Sequence, residues 1–281
     1  MDPFVFAAVL VGAACHAGWN ALVKVRLEPF TAMALIAICS FVIVIPIVPF
    51  VGLPAPAAWP WIGASILVHI GYFIGLSEAY RYGDMGQVYP IARGSAPLMT
   101  TLVSTTVLGE AISPMGIFGI VLLACGVFVM SFRGGAAMSR MNSRAVGFAL
   151  FTAVTICGYS ISDGTGARVS GNPHAYTVWL FIADGLMMTM LVLIRRGPAS
   201  FPQMAPFWIS GFIGGVLSLA AYWIAIWAMT KAPIAIVAAL RETSVLFAAA
   251  IAVFILKEPL SATRIAAAVL IVAGLALIRL Q

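Results

Sequence analysis

Charge is what this sequence has least of. Only 9% of its 281 residues are Asp, Glu, Lys or Arg, while 63% are hydrophobic. An ordinary soluble domain is about 25% charged. A water-soluble fold of this size could not cover so much apolar surface with so few charges. A soluble enzyme, a nucleic-acid binder and a disordered tail are therefore excluded. Cysteine is scarce as well: Cys15, Cys39, Cys125 and Cys157 sit inside apolar runs, without a C-x-x-C pair or His at ligand spacing. They read as small buried apolar residues, not metal ligands. The chain has no G-x-x-x-x-G-K-[ST], H-E-x-x-H or G-x-S-x-G motif, so no nucleotide loop, metal helix or nucleophile elbow is expected. No cofactor is expected either. Met1-Asp2-Pro3 offers no basic stretch and no cleavage site follows, so the first apolar run is expected to stay.

What the sequence has in abundance is apolar runs of membrane length. A transmembrane helix needs about 20 predominantly apolar residues. Runs bounded by charges, Pro/Gly clusters and polar breaks fall at about 3–23, 30–50, 59–80, 86–107, 114–132, 145–165, 174–194, 206–229, 233–255 and 261–279. Lipid-embedded backbone must be satisfied internally, which leaves helices or a closed barrel. Barrel strands alternate over about 10 residues. These runs are longer and continuous, so ten transmembrane helices in an all-α polytopic membrane protein are expected, with the bilayer as the principal partner.

Basic residues orient the spans. Loops after odd-numbered spans hold Lys24, Arg26, Arg81, Arg133, Arg140, Arg144, Arg195, Arg196, Lys257 and Arg264, while the other side holds only Arg168, Lys231 and Arg279. The positive-inside rule places the first set in the cytoplasm and both termini outside it. The net charge of +6 then records loop orientation, not an acidic partner. The polar stretch near Arg133–Arg144 divides the chain into a first half (1–133), a linker (134–144) and a second half (145–281).

The halves resemble each other. At a constant offset of 148, Arg93 falls on Arg241, Glu110 on Glu258, and Ser113 on Ser261. Each is followed by a closing, glycine-bearing span. A repeat of five spans is odd, so its second copy enters the membrane upside down, and inverted repeats hold their binding site near the midplane between the copies.

Leu108-Gly109-Glu110-Ala111-Ile112-Ser113 and Leu256-Lys257-Glu258-Pro259-Leu260-Ser261, with ten short spans, resemble the EamA branch of the drug/metabolite transporter superfamily. Lys257 stands where that pattern usually has Gly. The resemblance implies a ten-helix bundle, alternating access and, usually, export of amino acids or other small metabolites; with the repeat above, two inverted five-helix repeats in the inner membrane are expected. It also implies that spans one to four and six to nine surround the cavity, with five and ten outside it.

Charged side chains at mid-bilayer cost about 2.5–3.5 kcal/mol each on insertion scales, so those present mark function or pairing. Arg93 and Arg241 are repeat-equivalent, and two guanidiniums facing one cavity suit a carboxylate, phosphate or phosphonate. Alternatively, Glu78 neutralises Arg93, and Glu242 or Asp184 neutralises Arg241. Glu242, matched by Gly94 in the first half, is a candidate for a coupling proton or a substrate amine. His16, Trp19 and Asn20 share one face of span one. Tyr89 shares a face with Arg93, and Tyr72, Tyr222 and Trp227 are candidates for stacking on a ligand. His69 and Tyr72 lie on the face of span three opposite Glu78. Glu78, Asp163 and Asp184 are candidates for gating or proton coupling, although Asp163, near a span end, also reads as simply solvated.

The expectation is a secondary-active transporter, not an enzyme, of a small anionic or zwitterionic metabolite, an amino acid or aminophosphonate for example. Protons are a candidate co-substrate, and a monomer or weak homodimer is expected. The rival is a broad exporter of cationic or lipophilic drugs, with both arginines locked in ion pairs. A membrane-embedded lipid enzyme would need a convergent catalytic set, which the sequence does not offer.

Overall fold

The computed structural model describes residues 1–23, 27–83, 85–131, 142–255, 257 and 261–281. Lys24, Arg26, Arg133, Arg140, Glu258 and most of the linker at 134–144 lie outside the described residues. Among those described, every regular element is helical. The first half contains α1 (Pro3–Val23), α2 (Pro29–Val44), the short α3 (Val48–Val51), α4 (Trp59–Tyr82), α5 (Met85–Thr106) and α6 (Pro114–Ser131). The second contains α7 (Ser143–Val169), α8 (Pro173–Arg196), the short α9 (Ser200–Met204), α10 (Trp208–Met229), α11 (Ile234–Arg241), α12 (Ser244–Ala250) and α13 (Ala262–Leu280). Eight helical stretches are long and apolar enough to cross a membrane. Of the other two expected spans, α5 has the length but carries Arg93 and several threonines, and Pro114–Met130 is shorter.

Local sequence explains the element ends. Pro46 tightens the end of α2 into a 3₁₀ turn, Ile45–Ile47. The Ser113 hydroxyl accepts from Gly116 N–H at 3.0 Å and Ser261 from Arg264 N–H at 3.3 Å, so the repeated serine caps α6 and α13 alike. The residue after the repeated leucine has a left-handed backbone in both copies: Gly109 at φ 66° and Lys257 at φ 58°. Glycine takes that conformation without a steric cost; lysine does not.

The expected span at 233–255, like that at 30–50, is not a single α-helix. The run at 233–255 is interrupted at Glu242 and Thr243, between α11 and α12. There the backbone bonds tighten to i→i+3: Glu242 N–H to Ala239 O (3.0 Å) and Thr243 N–H to Leu240 O (3.1 Å). The Thr243 hydroxyl also donates to Leu240 O at 2.7 Å, a local competitor for helical carbonyls. The repeat-equivalent α5 is assigned as one helix despite Pro90 and Pro97.

The halves interleave in one bundle. The principal pairings are α4 with α7, α1 with α10, α2 with α8, and α6 with α13, each joining one half to the other. The α6–α13 contact is reciprocal. A Cβ on Gly126 would lie 2.9 Å from Ile271 N and 3.0 Å from Ala267 O, and one on Gly274 would lie 2.8 Å from Leu123 N and 2.7 Å from Gly119 O. These partners are themselves related by the offset of 148. Absent side chains thus let the two backbones touch, as small residues do between membrane helices. Outward faces carry large apolar side chains such as Phe4, Leu67, Ile194, Ile209 and Val269, a surface suited to lipid and not to water.

Candidate functional site

Residues from α1, α2, α4, α5, α7, α8, α10 and α11 line a cavity of about 170 Å³, and α6 and α13 contribute none. The lining reaches Asn20, Met33 and Tyr89, each within about a turn of the helix ends on one face of the bundle. Towards the other face, its outermost members are Leu180, Tyr222 and Arg241, about two turns inside their helices, or about 10 Å. The cavity therefore opens towards the face where α1 ends and α2 begins. The opposite end is filled by packed side chains, among them Met229, Ile234 and Val237.

Both repeat-equivalent arginines line this cavity, but their environments differ. The Arg93 Nε lies 2.9 Å from Glu242 Oε2, with side-chain exposures of only 8% and 4%. This corrects the pairings considered from sequence, Arg93 with Glu78 and Arg241 with Glu242. The helix interruption turns Glu242 away from its neighbour Arg241 and towards α5. The contact is electrostatic: neither of the two atoms has a partner with hydrogen-bond geometry. Arg241 instead rests on an aromatic face, its Cζ 4.8 Å from the Tyr222 ring centroid. Among the described residues, no carboxylate lies within ion-pair distance of it.

Tyr222 is itself fastened. Its hydroxyl donates to Asp163 Oδ2, and Tyr176 donates to Asp163 Oδ1 at 3.0 Å. Asp163 is 1% exposed, which overturns the solvated reading. α7 runs on to Val169, so Asp163 is covered by α8 and α10 instead of reaching water. It stands behind the cavity wall and holds the Tyr222 ring on which Arg241 rests. Asp184 on α8 does line the cavity, and among the described residues nothing hydrogen-bonds its carboxylate.

His16, Trp19 and Asn20 all line the cavity, as their shared helix face requires. Trp19 Nε1 lies 3.2 Å from His16 Nδ1, and Asn20 Nδ2 donates to His16 O (2.8 Å). Arg93 Nη2 lies 3.4 Å from His16 Nε2. A neutral imidazole accepts at one nitrogen only, so one of the two ring contacts is not a hydrogen bond. Tyr72 and Tyr89 are also on the wall, with Tyr89 5.9 Å from the Arg93 guanidinium. His69, on the same helix face as Tyr72, stacks on Tyr159 at 4.5 Å.

Two candidates lie elsewhere. Trp227 packs edge-on against Phe4 (5.9 Å), beyond the closed end of the cavity. Glu78 faces away from the wall and pairs with Arg81 at 3.7 Å, with exposures of 33% and 71%. His69 and Tyr72 line the cavity and Glu78 does not, the arrangement expected from their spacing on α4.

Glu110, noted in sequence only as part of a repeated motif, carries a buried strap. Its carboxylate is 2.5 Å from Arg168 Nη2 and accepts from Ile234 N–H at 2.8 Å and from the Ser104 hydroxyl. Arg168 also donates to Met229 O (2.8 Å) and Ala232 O (3.0 Å). The strap joins the ends of α5 and α7 to the α10–α11 turn, at the closed end of the cavity. Nothing in the sequence placed Arg168, which reads there as an ordinary loop charge, beside Glu110.

The model of the EamA-like transporter family matches residues 4–132 and again 144–280. A stretch of 74 residues is 34% identical to the multidrug resistance protein EbrB of Bacillus atrophaeus, covering 26% of this chain and 62% of that relative. A solved crystal structure superposes with a TM-score of 0.77 at 20% identity, covering 99% of this chain and 96% of the other.

Proposed function

The chain belongs to the EamA-like transporter family, and from that premise we propose that it is a secondary-active transporter of a small anionic or zwitterionic metabolite. It is a multi-pass membrane protein. We place it in the inner membrane as two inverted five-helix repeats, with both termini outside the cytoplasm. The two matches to one family and the reciprocal α6–α13 contact support the repeat. On the Lys/Arg orientation, the cavity then opens to the cytoplasm, and alternating access requires a second state open at the Glu110 end.

The observation that carries the substrate class is Arg241. A guanidinium on a cavity wall, backed by an aromatic ring and without a carboxylate partner, is an anchor for a carboxylate or similar oxyanion. Asp184, on the same wall, suits an ammonium group, so an amino acid or an aminophosphonate fits. Asp184, Asp163 and Glu242 are the carboxylates available for proton coupling.

A second reading has its own support. Asp184 together with His69, Tyr72, Tyr159 and Tyr222 forms an acidic and aromatic wall that suits a cationic drug. The partial relative is named for multidrug resistance. Thermal-shift screening of purified protein against amino acids, organic acids, phosphonates and cationic drugs separates the two. A response to anions or zwitterions that Arg241→Ala abolishes supports the first reading. A response to cations alone that survives Arg241→Ala rejects it.

A further inference from the structure

The two arginines are sequence equivalents, but among the described residues only Arg93 has a carboxylate within ion-pair distance, and local packing accounts for the difference. Position 242 holds a glutamate. At its equivalent, Gly94, a Cβ would lie 2.6 Å from the Phe128 ring, so a side chain there would have to displace that ring. One carboxylate thus serves two guanidiniums. Glu242 lies behind Arg93, facing a small recess bounded by Ala96, Thr100 and Ser160 and reached also by Arg241; it does not line the main cavity, which Arg241 does.

Resting on the anion or zwitterion reading above, we propose that Glu242 sets the charge of the substrate. It occupies Arg93 as an internal counter-ion and leaves Arg241 as the single anion anchor. The cavity therefore selects a ligand with one carboxylate-type charge, alone or beside an ammonium, over a dianion. The groups around the pair fit this assignment. Among the described residues, Glu242 is the one carboxylate within ion-pair distance of Arg93. The His16 ring from α1 and Tyr89 one turn earlier on α5 also lie beside it, and Tyr159 and Arg241 share its recess. Asp184, on the wall from α8, adds repulsion against a second negative charge. Removing the Glu242 charge alone would leave Arg93 a buried cation without compensation, which a second ligand carboxylate can satisfy. Removing both members leaves no such cation, and replacing a whole buried pair is often close to neutral for stability.

The test is titration of purified full-length protein with propionate, L-alanine and succinate, read by tryptophan fluorescence. Wild type should bind propionate or L-alanine at least about tenfold more tightly than succinate. In Glu242→Gln, succinate affinity should rise by about tenfold or more, the worth of one added charge-assisted pair. In the double variant Arg93→Gln/Glu242→Gln, the preference for one charge should persist. Arg241→Gln should lose all three ligands. Selectivity in Glu242→Gln within about threefold of wild type overturns the proposal, and so does loss of L-alanine and propionate binding in the double variant, which would make Arg93 an anchor. Where Glu242→Gln does not fold, loss of L-alanine and propionate binding in the double variant still overturns the proposal. Binding of none of the three probes to wild type or Glu242→Gln refutes the anion or zwitterion reading itself, and this proposal with it.

Discussion

Replacing Glu110 by Gln tests the closed end of the cavity. The carboxylate is 8% exposed and takes three donors, from Arg168, Ile234 and Ser104. Gln keeps the shape but has one carbonyl oxygen for those donors, and its NH₂ meets another donor. Hydrogen bonds to charged groups contribute about 1.5–3 kcal/mol each, and neutral ones about 0.5–1.5 kcal/mol. Arg168 is 35% exposed, so water screens and partly replaces its share. A net cost of about 2 kcal/mol follows, borne only by the state in which α5, α7 and the α10–α11 turn are strapped together. Under the proposed alternating access between two states, that cost becomes about a 30-fold shift towards opening of this end. The reporter is Ala235→Cys, fully buried one residue into α11 beyond Ile234, in a chain whose four native cysteines are replaced. Its labelling rate by a polar maleimide should rise by about 30-fold with Glu110→Gln, and Arg168→Gln should do much the same. A rate unchanged within about threefold, in protein that still unfolds cooperatively on heating, would refute the strap as a gate.

Four further outcomes follow from the same geometry. Lys257→Gly should stabilise the protein by about 1 kcal/mol, because it relieves a left-handed lysine; a lower thermal midpoint contradicts this. Gly274→Ala should destabilise by about 1–3 kcal/mol in thermal unfolding, since its Cβ would meet the Gly119 and Leu123 backbone at 2.7 and 2.8 Å; a neutral result means α6 and α13 are not in that contact. Glu78→Gln should leave stability within about 0.5 kcal/mol and ligand affinity unchanged, since its partner Arg81 is solvent-exposed; weakened binding would return Glu78 to the site. Asp163→Asn should weaken ligand binding by about tenfold by loosening Tyr222 under Arg241, with a smaller loss in Tyr176→Phe; full affinity in both removes Asp163 from the site's support.

Helix faces were readable because they depend on spacing alone. His16, Trp19 and Asn20 came out on one side of α1, and His69 with Tyr72 opposite Glu78, because a regular helix fixes those angles. Depth and partners were not readable. Asp163 looked close to a span end, but α7 continues past it, and tyrosines from α8 and α10 cover it. Trp227 and Tyr222 sit in one helix five residues apart, yet only Tyr222 reaches the cavity. The motif Glu110 was visible as a repeat, but its role needs Arg168 and Ile234 brought in from the other half.

The membrane-length helices, the internal resemblance at an offset of 148 and the pair of equivalent arginines follow from residue order, because hydrophobic length, charge placement and repeat are properties of the linear chain. Which arginine is neutralised follows from packing in the folded bundle. A helix interruption at Glu242 swings one carboxylate to Arg93, and a counterpart side chain at Gly94 would have to displace the Phe128 ring. Ion pairing and steric exclusion are set by distances between helices remote in sequence, and no local pattern encodes them.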